Sequence, residues 1–276
     1  MQHWKYLCAL GLVLGMLIPA SASPLTFYAV DDKGARNSQL VYVEQVGDVL
    51  TTTEIGPTYA NFDIEGIDFH PTTGVLYAVG GERGQAGRQK LYTWDTGDGS
   101  LIDLGFVGGP GNPFNRRDLI ASGFSGDGTF WVSIEDQGLY TVDLVDLSTT
   151  LESSDPIFTT GQGAEGIAWS VDGSELYLGR GDKLLSWHPT SGTVAEILPA
   201  TVGFGTEIEA LGLSRDGTLI AAGSNMVYEV GFTSGGQYKL LESYIVAGRD
   251  FESIAIPEPS TLALLAFAPL LARRRR

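Results

Sequence analysis

Residues 164–173 read Ala-Glu-Gly-Ile-Ala-Trp-Ser-Val-Asp-Gly, an apolar run that follows a glutamate and leads into an Asp-Gly turn. The first six residues of this stretch match four other hexapeptides, and successive members of the set start 55, 45, 44 and 43 residues apart. The five hexapeptides are 64–69, 119–124, 164–169, 208–213 and 251–256. Three of them continue into Ser-x-Asp-Gly, at 125–128, 170–173 and 214–217. Since Asp-Gly between apolar runs is a strong hairpin signal, each hexapeptide is predicted to be a strand that ends in a tight turn.

Each repeat continues with a second and a third apolar strand and a weaker fourth. The fourth strands are predicted near Ile102, Ile157, Val194 and Lys239. Four antiparallel strands in roughly 40–45 residues is the spacing of a β-propeller blade, and residues 25–256 hold about five such repeats. The predicted fold class is therefore all-β, a propeller of about five four-stranded blades. A β-sandwich is the structural alternative, which five matched repeats disfavour.

The ends of this repeat array predict how the ring closes. The first two apolar runs, 25–30 and 40–43, have no innermost strand of their own. Residues 251–256 supply one from the other end of the chain, so the N- and C-terminal strands are predicted to pair. Such a closure leaves no exposed sheet edge at the axis.

The N-terminus has the three parts of a secretory signal. Lys5 supplies the positive charge, residues 7–18 form the apolar stretch, and Ala20 and Ala22 mark the small-residue cleavage site. The single cysteine, Cys8, lies inside this segment, so the mature chain is predicted to contain no thiol. One cysteine also excludes a disulfide scaffold.

The C-terminus, residues 257–276, has an equally ordered pattern. Pro257, Glu258 and Pro259 precede an apolar run, 262–272, and four arginines end the chain: Arg273, Arg274, Arg275 and Arg276. Eleven residues of helix span about 16 Å, which is short of the ~30 Å hydrocarbon core, so only a transient membrane association is predicted.

This tail resembles the PEP-CTERM sorting signal of Gram-negative bacteria. In that family an exosortase recognises and removes the tail, and its substrates are associated with extracellular polysaccharide and biofilm. The resemblance implies three segments: a signal peptide at 1–22, a β-propeller domain at 23–256 and a sorting tail at 257–276. It also implies export through the inner membrane, an exosortase-type protease as partner and a location outside the cell or on its surface.

Charge excludes one class of ligand. The chain has 17 basic and 33 acidic residues, for a formal charge of −16. Five of the bases and one of the acids lie in the two terminal segments, so the body carries 12 bases against 32 acids, or about −20. A field this negative opposes binding to phosphate backbones, so no nucleic-acid partner is expected. With charged residues at only 18%, disorder is disfavoured as well.

The body offers little material for nucleophilic catalysis. Its two histidines, His70 and His188, occur in near-identical His-Pro-Thr-x-Gly sequences, which are typical of turns. The sequence has no nucleophile elbow, phosphate loop or zinc-ligand spacing. The body resembles NHL-like and gluconolactonase-like bacterial propellers in its Ser-x-Asp-Gly blade turns, a likeness of architecture that does not fix an activity.

A glutamate recurs at the second position of the repeated hexapeptide. Glu65, Glu165, Glu209 and Glu252 hold the same position at the start of the innermost strand, where Ile120 stands in the remaining repeat. In a propeller this position faces the mouth of the central channel, where converging carboxylates suit a hard cation such as Ca²⁺. Glu65-Gly66 resembles the early metal-binding glutamate of gluconolactonase-like enzymes. The alternative is that each glutamate accepts hydrogen bonds from backbone N–H groups of the next blade, and a residue shared by repeats favours this structural role.

A second candidate site lies in the longest loops. Its residues are Arg83, Arg88, Asn112, Asn115, Arg116 and Arg117. Arginine forks suit the carboxylates of an anionic exopolysaccharide, although long polar loops also collect charges without binding anything. Four tryptophans on predicted strands are expected to fill space between blades: Trp94, Trp131, Trp169 and Trp187. Tyr59 and Phe114, in loops between blades, are the candidates for stacking on sugars.

Two functions follow from these features. The sequence favours an exported, non-enzymatic protein that binds or supports exopolysaccharide at the cell surface. The alternative is a Ca²⁺-dependent hydrolase of lactones or esters that uses the glutamate-lined mouth.

Overall fold

The computed structural model describes residues 24–34, 36–81, 87–109, 114, 117–160, 163–198, 204–214, 216–232 and 237–257. Twenty strands in this part of the chain form five antiparallel sheets of four strands each, which we number blades 1 to 5. Blade 1 contains β1 (Thr26–Asp32), β2 (Ser38–Val46), β3 (Val49–Tyr59) and, as its innermost strand, β20 (Phe251–Ala255). Blade 2 contains β4 (Ile64–Phe69), β5 (Leu76–Gly80), β6 (Lys90–Trp94) and β7 (Leu101–Phe106).

The other three blades repeat this order. Blade 3 contains β8 (Leu119–Phe124), β9 (Phe130–Ile134), β10 (Gly138–Val142) and β11 (Thr149–Ser153). Blade 4 contains β12 (Gly166–Trp169), β13 (Leu176–Arg180), β14 (Lys183–His188) and β15 (Thr193–Glu196). Blade 5 contains β16 (Ala210–Leu213), β17 (Leu219–Gly223), β18 (Met226–Phe232) and β19 (Tyr238–Ile245).

The innermost strands form a closed ring. They contact one another in the order β4, β8, β12, β16, β20 and back to β4. Five buried apolar clusters occupy the five interfaces between neighbouring blades, so the core is divided among the interfaces. The predicted five-bladed propeller is confirmed. The predicted signal segment 1–22 and nearly all of the tail, 258–276, lie outside the described residues and stay predictions.

The ring closes as the sequence predicts. β20 pairs antiparallel with β1, with Tyr28 opposite Ala255 and Ala29 opposite Ile254. Phe251 is fully buried and meets the ring of Phe27 edge-on at 6.4 Å between centroids. A hydrogen bond also joins β20 to its other neighbour, β4, where the Ser253 hydroxyl accepts the N–H of Ile67 at 2.8 Å.

Charge also holds the closure. Asp31, at the end of β1, is fully buried and accepts hydrogen bonds from the Arg249 guanidinium and from the backbone N–H of Asp250. The Lys33 ammonium lies 2.7 Å from the same carboxylate and from Glu54. A buried carboxylate needs such partners, because leaving it unpaired would cost several kcal/mol.

One strand prediction was wrong. The fourth strand of blade 3 is β11, and Ile157 lies instead in a single helical turn, α1 (Pro156–Thr159), between blades 3 and 4. Asp155 caps this turn by accepting the N–H of Ile157, and Pro156 takes the first helical position, where a missing N–H costs nothing. Among the described residues, no helix has the length and apolar character needed to cross a membrane.

Phe251→Ala is expected to lower the free energy of unfolding by about 3–5 kcal/mol, because it empties a closed site at the ring closure. Urea denaturation followed by tryptophan fluorescence measures this change. Ile245→Ala, at a side chain that is 76% exposed in β19, is the control and should stay within about 0.5 kcal/mol of the wild type. Equal losses in the two variants would contradict the role given to Phe251.

Candidate functional site

The starts of the innermost strands meet at one end of the channel, which we call the acidic mouth. It contains the four predicted glutamates, Glu65, Glu165, Glu209 and Glu252, and four further acids, Asp32, Asp63, Glu207 and Asp250. Strand crowding explains the local sequence, because the residue after each strand-start position is small: Gly66, Ala121, Gly166, Ala210 and Ser253. A Cβ at Gly166 would lie 3.0 Å from the Glu209 carbonyl oxygen of the next blade.

The structure brings three of these carboxylates together between blades 4 and 5. One oxygen each from Glu165, Glu207 and Glu209 lies within 4.8 Å of the others. Glu165 and Glu209 are half-buried, and one oxygen of each is buried without a hydrogen-bond partner among the described residues. Buried carboxylate oxygens without donors are costly, so this group lacks a stabilising partner.

A second group of three lies at the ring closure. Oxygens of Asp32, Asp250 and Glu252 also approach within 4.8 Å of one another. Backbone and hydroxyl donors fix two of them: the Gly34 N–H donates to Asp32 at 2.8 Å, and the Ser224 hydroxyl donates to Asp250 at 2.6 Å. This group therefore joins the first strand, the last strand and the turn between β17 and β18.

The remaining glutamate lies between these groups. Glu65 packs against the backbone of Gly81, where any Cβ would collide with its Cγ, and it shares a hydrogen bond with Asp63. In blade 3 the equivalent side chain is Ile120, whose Cδ1 would lie 2.5 Å from a Cβ at Gly163. The ring of acids is thus interrupted at blade 3 by an apolar contact.

Burial and like charge act together on the glutamates of the mouth. Burial, followed by the charge of Glu207, raises the pKa of Glu165 to about 7. Burial and Asp250 raise the pKa of Glu209 to about 8, and burial and Glu209 raise that of Glu252 to about 9. The pKa of Glu65 is raised as well, by burial and then by Glu252. Near neutral pH the mouth therefore holds protons that a cation would displace.

These contacts bear on both interpretations of the glutamates. The hydrogen-bond partners seen for Glu65 and Glu165 are the carboxyl groups of Asp63 and Glu207, whereas the structural alternative expected backbone N–H donors. The four glutamates do share one mouth but do not form one ligand set. Three further acids of the mouth were not predicted, although each stands two residues before a mouth glutamate, a position that the repeat alignment also compares: Asp63, Glu207 and Asp250.

The arginine-bearing loops are only partly described. Arg83, Asn112, Asn115 and Arg116 lie outside the described residues. Arg88 is half-buried, and Arg117 forms an ion pair with Asp136 at 2.8 Å. Lys90 is paired in the same way with Asp103 at 2.6 Å. A glycan carboxylate would have to compete with these internal partners, and binding at these loops stays a prediction.

Only some of the aromatic residues have their predicted roles. Phe114 is buried against the ring of Tyr140, and the Tyr59 hydroxyl bonds the backbone of Gly99 and Leu101. Trp169 is buried, as predicted, while Trp131 is only half-buried.

Comparison with known proteins supports the fold. No protein-family model matches the chain, and a search of curated proteins found no relative. The chain is similar to a luciferin-regenerating enzyme, with 12% identity, a TM-score of 0.51, and coverage of 86% of this chain and 85% of that one. It is similar to a calcium-binding protein, regucalcin, from Agrobacterium tumefaciens str. C58, with 13% identity, a TM-score of 0.50, and coverage of 87% and 81%.

A third similar structure is the extracellular domain of a hybrid two-component system protein from B. thetaiotaomicron, with 13% identity and a TM-score of 0.41. The match covers 73% of this chain and spans about a quarter, 26%, of that chain. At these identities the first two structures support a β-propeller fold and establish no activity.

The raised pKa values predict how stability depends on pH. A folded state that holds protons above the unfolded carboxyl pKa, near 4.5, is most stable below that value and loses stability as pH rises through 7 to 9. The metal-free protein should therefore melt on the order of 5 °C lower at pH 8.5 than at pH 5.5. Differential scanning calorimetry in EDTA measures both transitions.

The Glu165→Gln, Glu209→Gln double variant should reduce this pH dependence, because the amides carry no titrating proton. Glu196→Gln, Glu242→Gln makes the same change of charge at exposed positions of β15 and β19 and serves as the control. The same pH dependence in both double variants would mean that the mouth does not titrate as described.

Proposed function

We propose that the protein is an exported β-propeller that binds a divalent cation, Ca²⁺, at its acidic mouth. The observation that carries the proposal is the pair of three-carboxylate groups, one of which contains the unpartnered buried oxygens of Glu165 and Glu209. A cation would supply the positive charge that these oxygens lack.

The donor set decides which cation fits. Both three-residue groups in the described part of the mouth consist of Asp and Glu alone, so their ligand atoms are carboxylate oxygens. Ligand sets made only of oxygen suit hard cations. Ca²⁺ accepts six to eight oxygens in flexible geometry, whereas Mg²⁺ requires near-octahedral ligands and releases its waters reluctantly. The ligands here are Asp and Glu carboxylates that come from separate blades, so their geometry suits Ca²⁺ better than Mg²⁺.

The position of the groups indicates what the cation would do for the protein. Glu165 belongs to blade 4, and Glu207 and Glu209 precede the innermost strand of blade 5. Asp32 and Glu252 lie on the two strands that close the ring. Bound cations would therefore join blade to blade and the first strand to the last, so the proposed role is a Ca²⁺-stabilised binding scaffold.

A non-enzymatic role is supported by the residues that are available. The Nδ1 of His70 accepts the N–H of Thr72 at 3.1 Å, and the Gly192 N–H donates to the carbonyl of His188, so both histidine segments form turns. Turnover of a lactone or ester by the Ca²⁺-loaded protein, lost in the Glu165→Gln, Glu209→Gln variant, would instead establish the hydrolase alternative.

Export and sorting complete the proposal. The signal pattern at 1–22 and the tail pattern at 257–276 support secretion followed by exosortase processing and attachment near exopolysaccharide. Pro257 is buried two residues after the closing strand, so processing beyond it would leave every residue of that strand in place.

Ca²⁺ should raise the melting temperature of the protein at pH 7.5. Above the Kd, the melting temperature should rise with the logarithm of the Ca²⁺ concentration. Isothermal titration calorimetry should show the binding directly, with protons released because the mouth glutamates ionise. Glu165→Gln, Glu209→Gln should weaken it at least tenfold, and the Glu196→Gln, Glu242→Gln control should not. If 10 mM Ca²⁺ produces neither heat nor a thermal shift, the proposal fails.

Sorting is tested by replacing the four terminal arginines with glutamine in a Gram-negative host that has an exosortase. Intact mass of the secreted wild type should show loss of both terminal segments. The arginine variant should keep its tail, because the basic cluster no longer holds the apolar run in the membrane. Identical masses for the two proteins would contradict a role of the arginines in sorting.

A further inference from the structure

A cleft opens on the other face of the propeller, where the turns between first and second strands lie. The cavity, of about 430 Å³, lies between blades 3 and 4. Trp131, Trp169, Val171, Asp127 and Asp172 are among its lining residues, and we call it the indole cleft. A second cavity of about 380 Å³ at the channel axis shares Trp169 and Val171 as walls, so the two form one groove.

The equivalent spaces in two other interfaces are filled. Between blades 2 and 3, the His70 ring packs on Phe124 at 5.0 Å and near Tyr77 at 6.4 Å. Between blades 4 and 5, Tyr238 covers Tyr177, with ring centroids 6.0 Å apart and hydroxyls 3.1 Å apart.

The cleft between blades 3 and 4 stays open because of one small residue. Ser125 follows the innermost strand of its blade as His70 does in blade 2, and it places a hydroxyl where His70 places a ring. Trp131 and Trp169 take the places of Tyr77 and Phe124, with centroids 4.8 Å apart and ring planes that diverge by 50°. The chain thus forms an aromatic pair at this interface without covering it.

The charged groups of the cleft are the acceptors Asp127 and Asp172. Oδ1 of Asp127 accepts the Ser125 hydroxyl at 2.7 Å and the Thr129 N–H at 3.0 Å. Oδ1 of Asp172 likewise accepts from Ser170 and Ser174. In both residues these turn bonds use Oδ1. No lysine, arginine or amide side chain is among the described residues that line the cleft.

We propose that the indole cleft binds an alkylammonium group, a trimethylammonium or primary ammonium cation, between its tryptophans and its two carboxylates. Indole rings attract organic cations through their negative faces, and the attraction grows where water is displaced. Carboxylates add Coulomb attraction and accept N–H hydrogen bonds. An anionic sugar would meet two like charges here.

The charge of the cleft does not titrate near neutral pH. Hydrogen bonds from Ser174 lower the pKa of Asp172 to about 2, and the Ser125 hydroxyl lowers the pKa of Asp127. Binding should therefore be constant between pH 5.5 and 8.5, unlike cation binding at the acidic mouth. This difference separates the two proposals experimentally.

The test uses tetramethylammonium and choline chloride as probes, added to the purified protein in EDTA and followed by ligand-observed NMR. Saturable binding is expected, and Val171→Trp should abolish it, because Val171 is 60% exposed at the edge of the cleft. Val145→Trp is the matched control, a 94% exposed valine in the turn between β10 and β11 on the same face, and should bind as the wild type does. Trp131→Leu and Asp172→Asn should each raise the Kd at least fivefold.

Two further arms identify the source of the ammonium group. Sedimentation with phosphatidylcholine vesicles that Val171→Trp abolishes would support a lipid headgroup, and binding of choline without sedimentation would support a free cation. N-acetyl-lysinamide represents a lysine side chain of a partner protein, and its binding is followed by the same NMR experiment with the wild type and Val171→Trp.

Three results would overturn the proposal. The first is that neither probe binds saturably up to 100 mM. The second is that Val171→Trp and Val145→Trp bind the probes equally while both melt as the wild type does. The third is that glucose binds in preference to tetramethylammonium.

Discussion

The convergence of five innermost strands on one axis is the constraint on which the rest of this structure depends. At their starts the strands approach so closely that the position facing a neighbouring strand holds only glycine, alanine or serine. The position before it therefore carries the first side chain that can extend into the mouth, and four blades place a glutamate there. The geometry that closes the ring thus also concentrates like charges.

Such a concentration of charge is unfavourable unless something neutralises it. In the metal-free protein the neutralising species is the proton, which is why the pKa values of Glu165, Glu209 and Glu252 rise to about 7, 8 and 9. At the other face the aspartates of the Ser-x-Asp-Gly turns receive hydroxyl and N–H donors, and their pKa values fall. A carboxyl side chain is therefore a titrating group at one end of the propeller and a permanent charge at the other.

The sequence was sufficient for the architecture because the architecture is periodic. Spacing located all five innermost strands and the pairing of the chain ends, but the assignment near Ile157 failed, because Pro156 and the Asp155 cap favour a helical turn over a strand. The mouth glutamates were visible as a residue repeated in four of the five blades, whereas Asp32 ends a different strand, β1, and joins them only through ring closure. The indole cleft could not be predicted, since it depends on Ser125 failing to fill a space that His70 fills one interface earlier.

Ring closure and cation binding involve the same few residues. Asp31 is neutralised by Arg249 and Lys33, while Asp32, the next residue, faces Asp250 and Glu252. Adjacent carboxylates of β1 thus differ in what stabilises them: Asp31 has cations within the chain, whereas Asp32 has a backbone N–H donor and two neighbouring acids. Because Asp250 and Glu252 flank Phe251, whose burial anchors β20, a cation at this group would act on the closing strand itself. The cation's binding free energy would then add to the stability of the closed ring, because only the folded state brings the ligating carboxylates together.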